Sequence, residues 1–180
     1  MPQFIALFRG INVGGRRVLP MDELTKELER FKLKDVRTYI QSGNVVFRFP
    51  KRVPASLGDE IADKIEKKKG FRPQVQIISR ERFEHAMQLN PFRDGEADPK
   101  TLHLYFLAKK PRLPDMKALT ELKSPTENYQ LREKIFYLHA PDGIGRSKLA
   151  ASVEKILKVP ATSRNWRTVV KLSEMAAADA

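Results

Sequence analysis

The chain has no cysteine. That excludes disulfides, thiolate-bound zinc and a thiol nucleophile together. It also has no apolar run near the roughly 18 residues that a membrane-crossing helix needs. The first apolar stretch, Phe4 to Phe8, is too short for a signal peptide and is cut off by Arg9. A soluble, cytoplasmic protein without membrane contact is therefore expected. Acid is scarce relative to base: 22 acidic residues face 34 basic ones, leaving a net charge of +12. Such a surface attracts anions. Histidine is rarer still, with three in the chain, and no carboxylate cluster joins them at metal-ligand spacing. No metal and no cofactor are expected. What the chain does have is enough apolar surface for a core: hydrophobic residues make up 41% of it, which excludes a mainly disordered polymer.

The periodicities give an order of elements. Phe4 to Phe8 suits a short strand buried on both faces. Gly10-Ile11-Asn12-Val13-Gly14-Gly15 follows as a loop. Pro20 opens a helix carrying Met21, Leu24, Leu28 and Phe31 at helical spacing, with Asp22 and Glu23 in its first turn. Val36 to Ile40 and Val45 to Phe49 are strands joined by the turn Gln41-Ser42-Gly43-Asn44. Leu57, Ile61 and Ile65 mark a second helix between Pro54 and Gly70. Val75 to Ile78 is a fourth strand. This βαββαβ order matches a ferredoxin-like unit.

The second part follows a similar plan. A helix spans about 80–89 and ends before Pro91. Leu102 to Ala108 is a strand, and Met116 and Leu119 lie on a short helix. Glu127 to Leu131 and Ile135 to His139 form a β-pair. Ser147 caps a helix using Leu149, Val153 and Ile156. Thr162 is expected to cap a last helix with Trp166, Val169 and Val170 as its apolar stripe. The fold class expected is α+β: two ferredoxin-like βαββαβ-type halves, residues 1–79 and 80–180, packed together, plus a C-terminal helix. Phe4, Ala6 and Phe8 alternate with Ile5 and Leu7, so both faces of the first strand are apolar and both need a cover.

Five segments carry a family resemblance. They are Leu7–Gly15 (LFRGINVGG), Tyr39–Phe47 (YIQSGNVVF), Asn90-Pro91-Phe92, Gly143–Leu149 (GIGRSKL) and Thr162–Val169 (TSRNWRTV). Together and in this order they resemble domain-of-unknown-function family 1697. The resemblance implies two ferredoxin-like halves and implies no activity. Phe8 departs from the aliphatic residue usual there, and Arg16-Arg17 is more basic than the family pattern.

Three places suit negative charge. The first is the loop with Arg9, Gly10, Asn12, Gly14 and Gly15, whose glycines let backbone N–H groups approach a ligand. It matches neither a Walker A loop nor G-x-G-x-x-G, and a tight turn with positive φ accounts for the same glycines. The second is Ser42, Gly43 and Asn44. Strand directions bring this turn to the same sheet end as Arg9, although Asn44 equally suits a left-handed turn. The third is basic: Gly145, Arg146, Ser147 and Lys148 at one helix start, and Arg164, Asn165 and Arg167 at another. Gly143 to Leu172 holds seven basic residues and one acid, half of the net charge in one sixth of the chain. On a helix, Arg164, Arg167 and Lys171 would share a face. Trp166 reads as a core anchor. Alternation groups His103 with Tyr105, and Tyr137 with His139.

The expectation is a binding protein for an anionic or phosphorylated, nucleotide-like small molecule in a basic, glycine-lined cleft between the halves. Arginines would grip phosphate and Asn12, Asn44 and Asn165 would direct hydrogen bonds. A nucleic-acid-binding module is the alternative favoured by a pI near 10.0, though no RNP1 pattern accompanies it. A metal-independent enzyme acting on a phosphorylated substrate is a third reading. Ser42 or Ser147 would be its nucleophile, without a legible base beside either.

Overall fold

The computed structural model describes residues 1–50 and 52–178. The chain divides into two compact units, Met1–His85 with the chain from Lys171 onward, and Ala86–Val170.

The first unit contains β1 (Gln3–Arg9), α1 (Met21–Arg30), β2 (Lys34–Tyr39), β3 (Asn44–Arg48), α2 (Leu57–Lys69), β4 (Gln74–Ser79) and the start of α3 (Arg80–Gln88). Its sheet runs β2-β3-β1-β4, with every neighbouring pair antiparallel. Phe4, Ala6 and Phe8 of β1 meet Leu24 and Leu28 of α1 and Ile61 and Ile65 of α2 in one apolar cluster. These are the residues whose 2- and 3.6-residue periods define the elements. Asp59 and Glu60 open α2, Lys67 to Lys69 close it, and Gly70 ends it at φ 76°, an arrangement that suits the helix dipole. The two helices are also tied by charge. Lys68 Nζ donates to Glu27 Oε1 at 2.7 Å, and that bond holds the buried Glu27 carboxyl below its usual range. Ile5 and Leu7 are fully buried on the other face. Arg37 lies in register with Val46, and Val46 with Ile5, so all three share that face. There the Arg37 guanidinium donates to the Met175 carbonyl at 2.7 Å, holding the end of the chain on this sheet.

The second unit contains the end of α3, a 3-10 helix (Arg93–Ala97), β5 (Leu102–Leu107), α4 (Met116–Leu122), β6 (Asn128–Arg132), β7 (Ile135–His139), α5 (Lys148–Leu157), β8 (Ala161–Asn165) and the start of α6 (Trp166–Ala177). Its sheet order, β6-β7-β5-β8, repeats that of the first. Tyr105, Leu107, Phe136 and Leu138 pack against Leu119 of α4 and Leu149 and Val153 of α5. Both units are thus α+β with βαββαβ order, the last strand of the second being one that the periodicities do not predict, and the C-terminal helix follows.

One expectation needs correction. Thr162 does not cap the last helix: Ala161–Asn165 is a strand, paired with β5 from Leu107↔Ala161 to His103↔Asn165. The segment is too short and polar to show a period of its own, and the fully buried β5 supplies the missing pairing. α6 begins at Trp166, where Asn165 Oδ1 accepts from Thr168 N at 3.0 Å. The histidine grouping follows the alternation: His103 faces Leu138 while Leu104 faces Tyr137, so His103 and Tyr105 lie on the helix-covered face and Tyr137 and His139 on the other, and the two pairs form no common patch.

Candidate functional site

At one end of the first sheet, β1 and β2 both run antiparallel to β3 and therefore finish together. The contacts bear this out. Asn12 Nδ2 donates to the carbonyls of Gln41 at 2.8 Å and Leu19 at 2.9 Å. Asn12 Oδ1 accepts from Leu19 N at 2.7 Å. Phe8 N donates to Gly43 O at 2.8 Å. So the loop of Arg9, Gly10 and Asn12 does adjoin the turn of Ser42, Gly43 and Asn44. The polar side chains there brace the loops. Asn44 is fully buried, and its Nδ2 donates to Tyr39 O at 3.1 Å and Ser42 Oγ at 2.8 Å.

The glycines of this loop are set by backbone geometry. Arg16 N donates to Val13 O at 2.9 Å, and Asn12 N to Arg17 O at 3.0 Å. Gly14 and Gly15 have φ of 56° and 72°. Two successive positive φ values make this a type I′ turn on a small hairpin, a geometry that favours glycine. The Arg17 guanidinium folds over Gly10, and Arg9 Nη1 donates to Gln74 Oε1 at 3.1 Å.

The second unit gathers charge at one sheet end. β7 and β8 both run antiparallel to β5, so they are parallel and end together. From that end the loop after β7 leads to α5, and β8 leads directly to α6. Gly145, Arg146, Ser147 and Lys148 thus share an end with Asn165 and Arg167. Ser147 is the N-cap of α5, its Oγ accepting from Ala150 N at 2.9 Å. Arg146, Lys148 and Arg167 are exposed, and no carboxylate lies within ion-pair distance of any of them among the described residues. Acid is not absent from the loop, for Asp142 Oδ2 accepts from Thr126 Oγ1 at 2.6 Å. Arg164 stands apart. It lies on β8 in register with Leu104, not on the helix face with Arg167 and Lys171. Burial pushes its guanidinium down to about 10, so it stays charged at neutral pH. Its Nη1 donates to Ser163 O at 2.8 Å. Trp166 is buried, as a core anchor should be.

One feature was not legible in the sequence. A groove of about 840 Å³ in the first unit is lined by Phe4, Val53, Val75, Ile77 and two arginines, Arg52 and Arg82. These come from separate segments of the chain. Among the described residues, no group of three or more His, Asp or Glu side chains could hold a metal ion. No helix among them is long and apolar enough to cross a membrane.

Comparison with known proteins bears on ancestry. The model of a family described as "Protein of unknown function (DUF1697)" matches residues 1–137. A solved structure of a conserved bacterial protein from Streptococcus pneumoniae is similar over 97% of this chain and 98% of that one, with a TM-score of 0.67 and 26% identity. No curated protein matches the sequence.

Proposed function

We propose, for a chain that belongs to the DUF1697 family and takes no assigned activity from it, that the protein binds an anionic, phosphorylated small molecule. The contact surface is the end of the second unit where α5 and α6 begin. The observation that carries this reading is the trio Arg146, Lys148 and Arg167, exposed at the start of two helices and paired with no carboxylate among the described residues. Surface cations usually find a partner or spread apart. Here they stand at two helix starts on one sheet end, where backbone N–H groups of the first turns and helix dipoles also favour negative charge. Gly145 leaves the approach open, since a side chain there would meet nothing within 4 Å. Two guanidiniums suit bidentate phosphate contact.

A thermal-shift screen tests this reading with nucleotides, sugar phosphates and oligonucleotides as probes. Ligands that bind the folded state raise its melting temperature by mass action. The expected result is stabilisation by one class of phosphorylated small molecule, lost in Arg146→Ala/Lys148→Ala/Arg167→Ala. Stabilisation by oligonucleotides alone, falling steeply with salt, favours a nucleic-acid module instead. A flat response to every anion removes the reading.

A further inference from the structure

The groove of the first unit is a second and different kind of site. It opens at the end of the sheet where β3 leads to α2 and β4 leads to α3. Phe4, Val75 and Ile77 form its floor, Val53, Pro54 and Ala55 one wall, and Ser79 with Arg82 the far side. Val75, Ile77 and Ser79 alternate along β4 and so present one face. β4 is an edge strand, which leaves Val75 and Ile77 half-exposed where a central strand would be covered. Gly58 keeps α2 close: a side chain there would stand 2.7 Å from the Val75 carbonyl.

The charge on this groove is of one sign. Arg52 and Arg82 are exposed, and neither guanidinium has a hydrogen bond or an ion pair with any described residue. Asp59, next to Gly58, is engaged elsewhere, accepting from Arg72 at 2.9 Å. Two unpaired guanidiniums thus flank an apolar trough of about 840 Å³, within the range of small-molecule pockets. A fully apolar ligand would leave both cations unused, and a small hydrophilic anion would leave the floor wet.

The two units share a connectivity, so this groove has a counterpart. The segment β3-α2-β4-α3 corresponds to β7-α5-β8-α6. In each, one arginine precedes the first helix and another lies in the opening turn of the second: Arg52 and Arg82 here, Arg146 and Arg167 there. Beside the first pair lies the groove with its apolar floor. We propose that this groove binds a small amphipathic anion, with its carboxylate or phosphate held between Arg52 and Arg82 and its apolar body on Phe4, Val75 and Ile77.

The test is an amide-resolved NMR titration of the full chain with decanoate, decyl phosphate and decanol. Expected are saturable shifts of residues 52–58, 75–79 and 82 for the two anions, titrating separately from any at 145–148 and 165–167, and at least tenfold weaker binding of decanol. Arg52→Gln/Arg82→Gln should weaken the anions by roughly tenfold per arginine, the scale of one charge-assisted hydrogen bond, while its spectrum stays that of a folded protein. Lys117→Ala, at an exposed position of α4 outside both sites, should leave these affinities unchanged. Shifts scattered over the surface, equal binding of decanol, or unaltered affinity in the double variant would each overturn the proposal.

Discussion

His103 is the histidine that the second sheet buries, at 7% exposure, with its Nδ1 unpartnered. Burial pushes its ring below the usual 6.5, and a backbone hydrogen bond with Thr101 offsets part of that. The folded chain therefore prefers the neutral ring, while the unfolded chain protonates near 6.5. Stability should be level above that pH and fall as the pH drops below it towards the folded value. Melting followed from about pH 7 to about pH 5 should show this decline, and His103→Gln should flatten it. A slope that the substitution leaves unchanged would assign the acid sensitivity elsewhere. Arg164 makes a related point. Its charge reads on paper like that of its neighbours, but its place on a strand buries it within the sheet.

At the scale of elements, glycines with the same sign of φ do different work. Gly43 sits at φ 74°, and a side chain there would stand 2.5 Å from Phe8 Cβ. The β2–β3 turn is pressed against β1, and nothing on β1 can yield. Gly14 also has positive φ, but a side chain there would meet nothing within 4 Å. Gly14→Ala should cost about 1 kcal/mol, the backbone preference alone. Gly43→Ala should cost roughly 3 kcal/mol or more, because overpacking adds to it. Equal losses in denaturant titration would contradict this account of the turn. The same elements show what was legible. α2 and α5 stood out because Leu57, Ile61 and Ile65, or Leu149 and Val153, repeat at helical spacing. β8 did not, because Ala161–Asn165 takes its conformation from pairing with β5 and carries no pattern itself. Asn12 and Ser42 were placed together correctly from strand direction. That Asn12 spends its amide on Leu19 and Gln41 depended on how the loop closes. The groove at Arg52 and Arg82 was invisible for a similar reason, since distant segments build it and no local run marks it.

At the scale of the molecule, the net charge of +12 is unevenly deployed. Many basic residues are paired locally, as where Arg72 holds Asp59 and Asp63 at 2.9 Å each. Exposed pairs of that kind contribute little to stability. The anion recognition proposed at the α5 end rests on cations without such a partner among the described residues, Arg146, Lys148 and Arg167. Calorimetric titration of pyrophosphate into the wild-type chain and into Arg146→Ala/Lys148→Ala/Arg167→Ala, at low and at near-physiological salt, tests it most directly. Single-site binding that weakens with salt and vanishes in the triple variant is the predicted result. Equal heats from both proteins, or none from the wild type, would contradict it.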